Sequence, residues 1–167
     1  MKAGDVAGEA VPQGAWAIAM AVMAILAAWF TGGINALDAF RFMLMWPLLH
    51  LGAAAFTDAH RFDMSADPKA EREKAGGAEP LDLQVTSVFM YAIGCFNAFW
   101  LGAEILFVAT CYMVLSMMFS ESIQHSKKGR AVAANVRLIV RVAGPIASGL
   151  LFGLLGLGGH ISNIMIS

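Results

Sequence analysis

Four runs of apolar residues, separated by polar stretches, organise this chain. The first, residues 14–36, carries no charge across 23 residues, and about 20 helical residues cross a bilayer's hydrocarbon core. Ala15, Ala17, Ala21, Ala24 and Ala28 give it small side chains against which another backbone can approach closely. Trp16 and Trp29 sit near its ends, where amphipathic rings settle at membrane interfaces. A transmembrane helix is predicted over 14–36. The second run, 42–56, has only 15 residues between Arg41 and the polar residues that begin at Thr57, and it contains Pro47 and His50. That length predicts a short, interfacial or re-entrant segment, kinked at the proline.

Residues 57–82 are polar, with four basic and seven acidic side chains. Asp67-Pro68 reads as a helix N-cap followed by proline in the first turn. A short solvated helix is predicted over 69–74, stopped by Gly76-Gly77. The third run, 83–120, is 38 residues long and holds one charge, Glu104. As one helix it would extend about 57 Å, well beyond a core of about 30 Å. A tight hairpin turning at Gly94, Asn97 or Gly102 would leave two minimal spans. With no proline and no strong turn pair near the midpoint, the pattern favours one long, bent helix over about 84–120, continuing to 128.

Residues 121–141 are basic. Lys127-Lys128-Gly129 resembles a helix end, with cations in the last turn and glycine beyond it. A last helix is then expected over 130–167, basic at first, with Arg130, Arg137 and Arg141 on one face. Its apolar part, 142–167, carries no charge and should bend at Gly144-Pro145. Gly149 and Gly153, four residues apart, have the small-residue spacing that lets helices pack closely in lipid. The first apolar run follows one lysine and two acids, a poor secretory leader, so it is expected to remain in the mature protein.

Composition sharpens this reading. Of 167 residues 59% are hydrophobic and only 14% charged, and the mean hydropathy is +0.67. Soluble domains carry about a quarter charged residues. The expected class is therefore an all-α integral membrane protein, one membrane domain of three to four hydrophobic helices, one unusually long, with a short helix-containing polar loop. A net charge of −1 argues against specific nucleic-acid binding. Cys95 and Cys111 would lie about 24 Å apart on one helix, too far for a disulfide, so free thiols are expected.

Candidate chemistry is sparse. Glu104 is the proton or ion relay candidate, because an ionisable group at membrane depth is costly and marks function by default. His50 and His160, both in apolar runs, are weighed as axial ligands of a b-type haem. Asp58, His60 and Asp63 do not have metal-ligand spacing. Phosphate-loop, nucleophile-elbow and zinc-protease motifs are missing. Lys127, Lys128, Arg130, Arg137 and Arg141 form a basic segment suited to anionic headgroups or partners.

A pair of apolar helices joined by a basic loop, over 83–167, resembles in layout the pilin subunits of conjugation and type IV secretion filaments. That resemblance implies side-by-side helix packing, retained lipid and a lumen-facing basic loop. The leading expectation is different: a non-catalytic subunit of a larger assembly in a bacterial inner membrane, such as a secretion or respiratory accessory subunit. It would pack by Ala/Gly faces against other subunits or copies of itself, with lipid as its only bound cofactor. A haem- or quinone-linked anchor and a Glu104 proton-coupled transport subunit are the remaining alternatives.

Overall fold

The computed structural model describes residues 13–63, 67, 69, 80–122 and 127–156. Five helices lie among these residues: α1 (Gln13–Thr31), α2 (Ala36–Asp63), α3 (Pro80–Leu101), α4 (Ala103–Ser122) and α5 (Lys127–Leu155). They form an all-α membrane bundle. Stretches of α1, α2, α3 and α5 are long and apolar enough to cross a membrane, and α4 contributes a shorter apolar stretch, Ala103–Met118.

The second apolar run is a full-length helix and not a re-entrant segment. Its apolar span, Ala36–Ala59, has 24 residues. Local pairing lets the polar ends of that helix join it. Asn35 caps α2 by accepting the Asp38 backbone N–H at 2.8 Å, while its Nδ2 donates to the Asp38 carboxylate. Arg41 then pairs with Asp38 at 2.9 Å, one turn on. Pro47 lies inside the helix; the peptide N–H it lacks is one hydrogen bond in a 28-residue helix.

The third run does not continue as one helix. It breaks at Gly102, whose φ of 137° is a conformation that suits glycine, and the break reverses the chain. Gly94 packs on Leu49 and Met45 of α2. Tyr112, beyond the break, reaches His50 and Trp46 on that same part of α2. A straight helix would hold Gly94 and Tyr112 about 27 Å apart. α3 and α4 therefore form a hairpin, the arrangement that the missing proline and turn pair argued against.

The stop expected at Lys127-Lys128-Gly129 is instead the beginning of α5, which runs on through Gly144 and Pro145. Three helices thus occupy the part of the chain where the pilin-like layout needs two, and they pack with α1 and α2 in one bundle. The short helix expected over 69–74 lies outside the described residues, apart from Lys69. Both cysteines are free and half-buried.

α1 and α5 run parallel. Trp16 meets Arg141, Ala24 meets Gly149, and Ala28 meets Gly153, with one constant offset. Helices consecutive in the chain alternate in direction. One end of the bundle, the turn end, therefore carries residues 32–35 and the Gly102 turn. The opposite end, the loop end, carries the start of α1, the end of α2, the start of α3, the end of α4 and the start of α5. The core between them is built on Met20, Phe42, Met45, Trp46, Ile105 and Phe152. Outward-facing side chains are also large and apolar: Phe107 is 70% exposed and Phe30 77%. A small body this apolar outside as well as inside is suited to lipid, not water.

Candidate functional site

Between the core and the loop end, four helices enclose a cavity of about 110 Å³. Helical spacing explains its lining. α2 supplies His50 and, two turns later, Thr57 and Asp58; α4 supplies Tyr112 and Ser116; α5 supplies Arg137 and Arg141. Residues four or seven apart share a helix face, so α2, α4 and α5 each turn a polar strip inward here. Gln13 of α1 closes the remaining side.

His50 ties these elements together. It is 1% exposed, and both ring nitrogens are engaged. Nε2 donates to Gln13 Oε1 at 2.7 Å. In the neutral ring Nδ1 is then an acceptor, and the Tyr112 hydroxyl donates to it at 3.1 Å. The Tyr112 ring meets Trp46 edge-on, with centroids 5.3 Å apart. Trp46 Nε1 in turn donates to Ser148 Oγ at 3.2 Å, and Ser148 donates to the Pro145 carbonyl at 2.8 Å. A buried chain of polar contacts thus fastens α1, α2, α4 and α5. Ser87 adds α3, donating to the Gly52 carbonyl of α2 at 2.9 Å. Such contacts matter in a bilayer, where hydrocarbon offers a buried polar group no alternative partner.

The Arg141 guanidinium lies over the Trp16 ring, 5.7 Å from its centroid, a contact worth about 0.5–2 kcal/mol. It pairs with no described carboxylate. The Trp16 indole N–H is itself buried without a hydrogen-bond partner among the described residues. Among the described residues Arg137, Arg141 and Asp58 are the charged groups lining the cavity, and Arg141, with no described carboxylate against it, suits it to a negatively charged group.

An apolar groove of about 240 Å³ adjoins it between α4 and α5. Tyr112, Leu115 and Val140 line both spaces. From there the groove runs toward the bundle's middle, past Cys111 and Ala143 to Phe107 and Ala147.

The other expected residues fall elsewhere. Glu104 is exposed in the first turn of α4, beside the Gly102 turn and at the opposite end from the cavity. His160 lies outside the described residues. Lys127, Lys128 and Arg130 belong to the first turn of α5, and their side chains are outside the described part. Gly149 and Gly153 form the seam with α1: a Cβ on Gly149 would strike the Ala24 carbonyl, and one on Gly153 would strike Thr31. Among the described residues no group of three or more His, Cys, Asp or Glu could hold a metal ion.

Gln13, Tyr112, Ser116 and Trp16 went unnoticed as site residues. Arg137 and Arg141, one turn apart inside an apolar segment, were the legible sign that polar partners had to lie across from them. Compared with protein-family models, curated proteins and solved structures, the chain matches none.

Proposed function

We propose that this chain is a non-catalytic integral membrane subunit that works within a larger membrane assembly. The observation carrying this reading is the use made of its polar groups between the helices. His50, Tyr112, Gln13, Trp46, Ser148 and Ser87 all bond between helices or within them, and brace the bundle. Among the described residues they leave no nucleophile set against a base and oxyanion donors, as bond chemistry would require. The Ala and Gly faces are occupied by the chain's own α1–α5 seam. Contacts with other subunits or with copies of this chain therefore fall to the outward apolar sides. One of these is the side of α3 with Val85, Phe89, Phe96 and Phe99 exposed. Helical spans favour a bacterial inner membrane over an outer one, where barrels prevail.

The test is extraction of tagged chain from its native membrane in mild detergent, followed by native electrophoresis and mass spectrometry of what travels with it. A defined set of partner proteins, or a discrete oligomer, supports the reading. A monodisperse single copy with no companion overturns it.

A further inference from the structure

We propose that the cavity and the groove together form one binding site for a lipid with a phosphate-bearing head. The phosphate would sit beside Arg141 and the tail along the α4–α5 groove. This rests on the membrane reading above and gives the chain a specific ligand within it.

Three observations converge. The first is charge: Arg141 enters the cavity with no described carboxylate against it. Arg137 lies one turn away, and the hydroxyls of Ser116 and Thr57 line the same space. Guanidinium groups bind phosphate through charge-assisted, often paired, hydrogen bonds. The second is size and continuity. One water needs about 10–15 Å³ of such space, so about 110 Å³ accommodates a group of several heavy atoms. The groove adjoins it, with Tyr112, Leu115 and Val140 lining both spaces. A free inorganic anion would have no use for that apolar extension.

The third observation is orientation. On α4 the cavity residues extend to Ser116, while the groove continues back to Phe107, toward the turn end. On α5 the cavity begins at Arg137 and the groove continues forward to Ala147, again toward the turn end. Arg137 and Arg141 lie on the part of α5 nearer the loop end, and the groove residues Ala143 and Ala147 lie further toward the turn end. Head outward and tail inward is the disposition of a lipid in the leaflet at the loop end. From Leu115 to Phe107 the groove offers a tail about 12 Å of helix to lie against.

The test uses full-length chain, first shown to sediment with membranes and to require detergent, so that the membrane reading is settled independently of any lipid result. Delipidated protein is titrated with dioleoyl phosphatidic acid, dioleoyl phosphatidylcholine, oleate and inorganic phosphate, with binding read by native mass spectrometry. The expected result is one phosphatidic acid per chain, held at least tenfold more tightly than the other three. Arg141→Gln should weaken it about tenfold or more. Ala143→Trp, which fills the groove and leaves the arginines in place, should do the same, and Arg41→Gln at the turn end should change nothing. Unfolding curves confirm that each variant is folded. Equal binding of phosphatidylcholine, oleate binding as tight as phosphatidic acid, or binding unaffected by both site variants would overturn the proposal. Competition by inorganic phosphate at equal concentration would do so too, since it would assign the site to a free anion.

Discussion

Replacing Gly149 with alanine should loosen the whole bundle, although it adds a single methyl group. An added Cβ there meets the carbonyl of Ala24 and comes within 2.8 Å of the Ala27 Cβ. Backbone cannot swing aside as a flexible side chain can, so α1 and α5 must separate. Opening a packed contact by about 0.5–1 Å forfeits a quarter to a half of its dispersion attraction, and helix association in lipid leans on that attraction. Overpacking of this kind costs about 1–3 kcal/mol. A gain of about 1 kcal/mol from alanine's better helix propensity opposes it.

Two other glycines calibrate the measurement. At Gly14 an added Cβ meets nothing within 4 Å, so Gly14→Ala keeps the propensity gain and should be neutral or stabilising. At Gly144 the Cβ would stand 3.1 Å from Cη2 of Trp46, a ring that can yield slightly, and the cost should be intermediate. The expected gap between Gly149→Ala and Gly14→Ala is about 1–3 kcal/mol, with each 1.4 kcal/mol a factor of ten in the folding equilibrium. Reversible unfolding in mixed micelles, followed by tryptophan fluorescence, reads the series. Equal shifts at positions 149 and 14 would refute the close α1–α5 seam.

Three further outcomes follow from the same geometry. Gly102→Ala forces a side chain into φ 137°, so it should destabilise the chain by about 1–3 kcal/mol, read in the same micelle assay. His50→Leu removes the bonds to Gln13 and Tyr112 and takes from the buried Tyr112 hydroxyl its acceptor on α2, at a cost of about 1–3 kcal/mol. Its signature is a larger loss than Glu104→Gln produces. Glu104 is exposed beside the α3–α4 turn, so Glu104→Gln should leave both stability and native-gel mobility of the extracted protein unchanged.

Much of the fold was legible because lipid-facing helices announce themselves by uninterrupted apolar length. Residues 14–36 read as one span for that reason, and the helix found there is Gln13–Thr31, with Ala36 already beginning α2. Boundaries failed where the deciding chemistry was local and polar. Asp38 and Arg41 resembled the edge of a short segment, yet their mutual pairing and the Asn35 cap carry α2 out to Ala36, beyond Arg41. The hairpin was hidden because Gly102 turns the chain by itself, without the proline or paired turn residues that usually mark a reversal. Lys127-Lys128-Gly129 has the composition of a helix end, and composition cannot say which of two adjoining helices it belongs to.

The site was less legible than the fold. His50 and Arg141 each stood out as polar residues in apolar surroundings. The bonds from His50 to Gln13 and Tyr112 span 37 and 62 positions of sequence, and the site emerges only when four helices converge. Once the hairpin is known, the charge pattern becomes informative. Among the described residues Arg41 is the one Lys or Arg at the turn end, while Arg61, Lys69, Lys127, Lys128, Arg130, Arg137 and Arg141 belong to segments at or toward the loop end. The positive-inside bias then predicts a cytoplasmic loop end.

The central claim is that the third apolar run crosses twice, and site-directed cysteine labelling tests it most directly. In sealed, right-side-out vesicles of cysteine-free protein (Cys95 and Cys111 replaced by alanine), single cysteines at Gly33, Lys69 and Ser122 are offered a membrane-impermeant maleimide. Gly33 should label without permeabilisation, while Lys69 and Ser122 should both stay protected until the membrane is opened. Labelling of Lys69 and Ser122 from opposite sides would make α3 and α4 one continuous span and contradict the account.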